Sequence, residues 1–175
     1  MKRYSIVLAC LNVVFAAIPV TAAEVVANDP DDVKGSLDLA ELRVEAQQGE
    51  AGFFKITTHD GYACDYLKPE SKKTYLKLLF DDGRDGDTDL VGRFECVDNK
   101  LFLFLHGKET GNNYEGLRVG RPKPKVSKVS FQLDLEEFKS NKLGVVVKSK
   151  DGTDTDCLET ACKDRIPESG SLKAY

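Results

Sequence analysis

The chain has 175 residues, with 25 Lys and Arg against 29 Asp and Glu and a formal net charge of −4. That balance argues against a nucleic-acid partner, because such binding is driven by neutralising phosphates with basic side chains. Two histidines and the absence of tryptophan leave little for acid–base chemistry or for indole stacking on a sugar.

The chain opens with Lys2 and Arg3, then an almost wholly apolar run over 4–20. Pro19 closes that run, and the small residues Thr21, Ala22 and Ala23 precede Glu24. This is the three-part layout of a secretory signal peptide over 1–23, with cleavage predicted after Ala23. A membrane anchor fits less well, since the run is near the lower length limit for spanning and a cleavage site follows at once. Cys10 is discarded with the signal. Processing leaves 152 residues, enough for one domain with a real core, and no membrane span; losing Lys2 and Arg3 takes the formal charge from −4 to −6. The predicted location is extracellular or at the cell surface.

Residues 24–33 (EVVANDPDDV) are polar and are expected to form a flexible lead into a single domain over 34–175. From there the apolar period is near two. Leu37, Leu39, Leu42 and Val44 suggest an opening strand, and residues 53–57 a second. Further strands are predicted over 74–80 (TYLKLLF), 90–97 (LVGRFECV), 101–105 (LFLFL), 126–135 (VSKVSFQLDL) and 143–148 (LGVVVK), with a tight turn at 98–100. Residues 133–143 have room for one or two helical turns. Short runs rich in Val, Phe, Leu and Tyr, bounded by Gly, Asp, Asn and Pro, are strand signals. Seven to eight antiparallel strands predict an all-β, two-sheet sandwich of jelly-roll or immunoglobulin-like type, with a small barrel as its rival.

The mature chain keeps Cys64, Cys96, Cys157 and Cys162. An even number in an exported protein reads as two disulfides, and three pairings are open. The short spacing of Cys157 and Cys162 favours a local clip, leaving Cys64–Cys96. A zinc site fits poorly, because no C-x2-C pair is present.

Residues 80–90 (FDDGRDGDTDL) join two strands and concentrate chemistry. Aspartates at alternate positions around glycines can wrap an ion that takes six to eight oxygens. Asp85, Asp87 and Asp89 have that spacing, and Asp81 precedes them. An EF-hand is excluded: its twelfth position is Gly92, and both flanks read as strands. An ordinary Asp/Gly turn is the plain alternative. The repulsion among five clustered aspartates favours a cation, and calcium with a structural role is the expected cofactor. A second acidic stretch, 151–156, reads first as a turn.

No G-x-S-x-G, H-E-x-x-H or free nucleophilic cysteine supports catalysis, and His59 and His106 sit at a loop and a strand end. No catalytic residue is therefore assigned. Residues 118–125 (RVGRPKPK) form a basic Pro-x-Pro loop that reads as a solvated connection or, less readily, as a partner contact.

Three landmarks occur in order: DPDDVKGSLDL at 29–39, the acidic hairpin, and DRIPESG at 164–170. In this the chain resembles a group of poorly characterised secreted β-sandwich proteins of Gram-positive actinobacteria. Its members carry a D-x-x-G-P-L-D-I-like start, an L-D-T-D-G-D-like hairpin and a D-R-A-P-D-S-G-like end. Ser36 stands where the group usually has proline, and 80–83 replaces its cleaner loop start. The resemblance implies the fold, export and Asp38 as a further acidic ligand beside the hairpin. The sequence thus predicts a secreted, non-enzymatic, calcium-stabilised module binding an extracellular protein or polysaccharide. The alternatives are a secreted inhibitor or accessory module of an extracellular hydrolase, and a small secreted hydrolase.

Overall fold

A computed structural model of the chain describes residues 22–71, 73–107, 116–120, 126–136, 138–152 and 162–175. Eleven strands occur among them: β1 Ala23–Asn28, β2 Leu39–Ala46, β3 Ala51–Tyr62, β4 Tyr75–Asp82, β5 Leu90–Val97, β6 Lys100–Gly107, β7 Leu117–Gly120, β8 Val126–Asp134, β9 Leu143–Lys150, β10 Lys163–Ile166 and β11 Leu172–Lys173. They form two antiparallel sheets. One has the order β1-β2-β3-β8; the other runs β10-β9-β4-β5-β6-β7, with β11 following β10 along the same edge of β9.

The seven predicted strands are β2, β3, β4, β5, β6, β8 and β9; period-two burial runs along most of them because alternate side chains face the other sheet, and it fails in β9, where 143–147 are all buried. Asp98 and Asn99 turn β5 into β6 with both φ angles positive, the conformation that suits a two-residue hairpin. Three expectations change. Residues 24–33 do not form a loose lead, since β1 pairs with β2 from Ala23↔Ala46 to Asn28↔Glu41. The strand count exceeds seven to eight because β1, β7, β10 and β11 are short and sit at or beside sheet edges. The described residues of 133–143 hold a turn closed by Phe138 N–H to the Leu135 carbonyl and no helix. The one helical element among the described residues is the 3-10 turn Cys64–Leu67. The predicted signal peptide lies, up to residue 21, outside the described residues.

Between the sheets the core is aromatic at its centre. Phe54 of β3 stacks on Phe131 of β8 at 5.4 Å and meets Phe80 of β4 edge-on at 5.7 Å, while Phe131 meets Phe94 of β5 at 5.7 Å. Rings from both sheets therefore interlock, and aliphatic side chains such as Leu42, Ile56, Leu78, Leu103 and Val147 fill around them. No helix among the described residues is long and apolar enough to cross a membrane.

Cys64 and Cys96 are bonded, tying the 3-10 turn to β5 across 32 positions of chain. Cys162 is also a disulfide cysteine, whereas Cys157 lies outside the described residues. On the chain-entropy account a loop of this size stabilises by about 3–4 kcal/mol. Replacing Cys64 and Cys96 together by alanine is expected to lower the unfolding free energy by about that much in urea denaturation. A loss under about 1 kcal/mol would contradict this assignment of the bond's role.

Candidate metal site between the sheets

The connection from β1 to β2 does not stay with its own sheet. It crosses to the edge of the larger sheet and is pinned there at three points. Ser36 N–H donates to Asp151 Oδ2 at 3.0 Å, Ser149 Oγ donates to the Leu37 carbonyl at 2.6 Å, and Leu39 N–H donates to Asp164 Oδ2 at 2.6 Å. Gly35 makes the first contact feasible: its φ is +113°, and a Cβ there would lie 2.8 Å from Asp151 Oδ2. The strap is closed by Asp29 N–H to the Ala40 carbonyl and by His59 N–H to the Asp38 carbonyl.

This path brings Asp29, Asp32 and Asp38 together, with one oxygen from each within 4.8 Å of the others. Asp32 is exposed, but Asp29 and Asp38 are 7% and 2% exposed. Neither Asp29 oxygen has a hydrogen-bond partner, and Asp38 Oδ1 has none either. An unmet buried neutral group costs about 1–3 kcal/mol and a charged one more. Arg43 Nε, Thr57 Oγ1 and the Tyr62 and Tyr175 hydroxyls are also buried without partners, but only at Asp29 and Asp38 do the orphaned atoms belong to carboxylates that converge. The nearest side chains worsen the position. Burial first, then the Asp164 carboxylate, pushes the Asp29 carboxyl up to about 7. Burial and then the Asp31 carboxyl push Asp38 up to about 7, with His59 opposing. Two carboxyl groups share a hydrogen bond only when one is protonated, so as anions these groups face one another without a donor.

What the arrangement can do follows from its donors. It offers carboxylate oxygens alone, partly desolvated and converging, which suits a hard cation. This acidic triad could hold a metal ion. Asp32 and Asp164 also line a cleft of ≈ 440 Å³ that reaches Lys148, Lys163, Arg165 and Glu168, so the cluster opens to solvent on one side.

Of the predicted ligands, only Asp38 lies in this cluster. Asp81, Asp85, Asp87 and Asp89 remain together on the β4–β5 hairpin, where the carboxylates of Asp81, Asp85 and Asp89 meet backbone donors. Asp81 accepts from Asp85 N–H (3.1 Å) and Gly86 N–H (3.0 Å), Asp85 accepts from Asp87 N–H (2.9 Å), and Asp89 accepts from Asp82 N–H (2.7 Å). Residues 153–156 of the second acidic stretch lie outside the described residues, as do 121–125 of the basic loop. His59 and His106 sit on β3 and β6, in different sheets. His59 Nε2 lies 3.0 Å from the Asp29 carbonyl, to which it can only donate.

Sequence reasoning missed Asp29 and Asp32, whose segment reads as a polar lead, and Asp164, more than 120 positions away in the chain. The available signal was that both segments fall in the landmarks at 29–39 and 164–170 singled out in the sequence. Fold and site together define a disulfide-bearing antiparallel β-sandwich with an acidic cluster at its seam. Among known proteins, no family model, curated protein or solved structure matches the chain.

The raised carboxyl groups make a signed prediction for the ion-free protein. Their folded value near 7 exceeds the ordinary value near 4, so protons bind the folded state more tightly. Their stabilising contribution is complete below about pH 4 and is lost as pH rises through about 7. Asp29→Asn removes that charge and gives Asp164 an amide donor. In chelator, the variant should match the parent near pH 4 and exceed its melting temperature at pH 8. Parallel curves across this range would refute the assignment.

Proposed function

We propose that the chain is exported and acts as a non-enzymatic extracellular module, held by a structural calcium ion, that binds a partner protein or polymer. The supporting observation is the set of buried, unpartnered oxygens on Asp29 and Asp38 where the two sheets meet. Calcium suits a site of carboxylates with one open side, because it tolerates irregular oxygen shells and retained water. Magnesium demands near-ideal octahedral geometry and usually keeps several waters, which a crowded pair of buried carboxylates supports less well. The seam is favoured over the hairpin because the Asp81, Asp85 and Asp89 carboxylates already accept backbone N–H groups. Export is supported by the 1–23 signal pattern and by the Cys64–Cys96 bond, since disulfides persist in oxidising compartments.

The inhibitor reading rests on loops at 121–125 and around Cys157, both outside the described residues. The hydrolase reading needs a pocket that gathers His59 or His106 with carboxylates; the two histidines lie in different sheets, and His59, which stands beside Asp29 and Asp38, has its Nε2 turned to the Asp29 carbonyl.

Calcium that binds only the folded state stabilises it by about 2.7 kcal/mol at one hundred times Kd, raising Tm by about 5–10 °C in a domain of this size. Differential scanning calorimetry with calcium and with chelator reads this directly. The shift should survive Asp81→Asn and disappear in Asp29→Asn/Asp38→Asn. Equal melting with calcium and with chelator would remove the calcium reading, and loss of the shift only in Asp81→Asn would move the ion to the hairpin.

A further inference from the structure

The outward face of the larger sheet carries a row of cations that the core does not use and whose Lys148 and Arg165 also border the cleft of the acidic seam. Antiparallel register places Arg165 of β10 opposite Lys148 of β9, Lys148 opposite Lys77 of β4, and Lys77 opposite Arg93 of β5. Phe104 of β6 comes next, opposite Arg93. All five side chains are half-buried and point away from the core, since their neighbours along each strand face inward. At about 4.8 Å between strands, the four charges span about 14 Å in a line.

Like charges directly opposite one another destabilise a sheet. The ends of the row are partly compensated. Arg93 meets Glu95 at 3.2 Å and the Ser71 carbonyl at 2.7 Å, and Arg165 donates to the carbonyls of Pro167, Glu168 and Gly170. The middle is not. Lys77 has the Tyr75 ring 4.6 Å from its ammonium, and among the described residues no carboxylate lies within ion-pair distance of Lys77 or Lys148. Burial, then Arg93 and Lys148, pulls the Lys77 ammonium below its usual range. Carboxylates border the row, since Asp32, Asp164 and Glu168 share one cleft with Lys148 and Arg165 and Asp81 and Asp85 share another. At its middle the Lys77 and Lys148 ammonium groups still lack an ion-pair partner among the described residues.

We propose that this face binds an anionic polysaccharide, with Lys77 and Lys148 taking its acidic groups and Tyr75 and Phe104 offering apolar platforms to the sugar rings. The inference deepens the module reading and rests on its extracellular setting. A linear glycan with regularly spaced carboxylate or sulfate groups presents charges in a line, as the row does. A nucleic acid adds a dense phosphate charge that the acidic remainder of the chain repels. Aromatic rings beside lysines also suit sugars, whose C–H faces pack on rings while their acids reach the ammonium groups.

The test is calorimetric titration of the full, calcium-loaded chain with oligosaccharides of hyaluronan (carboxylate), dextran sulfate (sulfate) and dextran (neutral). Single-stranded DNA and anionic lipid vesicles are titrated in parallel. One charged glycan should bind, with affinity falling as salt rises and a log–log slope of about two to three. Whichever is preferred identifies the acidic group. Lys77→Ala/Lys148→Ala should weaken binding about tenfold or more without lowering Tm. Lys77→Gln/Lys148→Gln should do the same with side-chain length kept. No binding of either charged glycan, equal binding of dextran, unchanged affinity in both variants, or tighter binding of DNA or vesicles would overturn the proposal. Those results leave the calcium scan untouched, so the two readings fail separately.

Discussion

A hydrogen bond from backbone to carboxylate, one of three that pin the strap, organises the acidic end of this sandwich. Leu39 opens β2 in the smaller sheet, yet its N–H is given to Asp164 on the outermost strand of the larger one. That bond draws the 29–38 strap across the seam and turns aspartates 29 and 38 inward. Local propensity would leave such residues in solvent. Asp164 is occupied by this task and does not relieve them, so bringing the sheets into contact here creates an electrostatic deficit at the same place. A cation is the simplest neutraliser; protons are the other. The seam therefore couples the chain's tertiary closure to the ionic composition around it.

Charge elsewhere is handled differently. On the β4–β5 hairpin the aspartates are capping groups: the loop bends so sharply, with positive φ at Gly83, Arg84 and Gly86, that its N–H groups lose strand partners and take carboxylates instead. Asp82 extends the pattern by accepting from Lys139 and Ser140 N–H, which fastens the hairpin to the turn before β9. The repulsion that a reader infers from the bare string of aspartates is answered by backbone dipoles.

Much of the sandwich was legible in the sequence because its central strands are buried on one face, and burial writes a two-residue period into the chain. Phe54, Phe80 and Phe131 each fall on such a pattern, and their strands were found. β1, β10 and β11 were not, because a short or half-exposed edge strand carries few apolar residues and its pairing is decided by backbone register. The site was less legible still. Asp38 was singled out from the landmark at 29–39, whereas Asp29 read as part of a polar lead and Asp164, in the landmark at 164–170, was given no ligand role. Their meeting depends on strands that the periodicity did not reveal, and no spacing rule links residues that approach only through tertiary contact.

Those unobtrusive strands have a consequence for colloidal behaviour. One rim of the larger sheet is only four residues long at β7; the other is split into β10 and β11, with the bend at 167–170 between them held by Arg165. An interrupted rim offers a second copy no continuous ladder on which to add a strand. The polymerisation hazard inherent in stacked sheets is thereby suppressed at the place where β9, apolar along most of its length, would otherwise stand open.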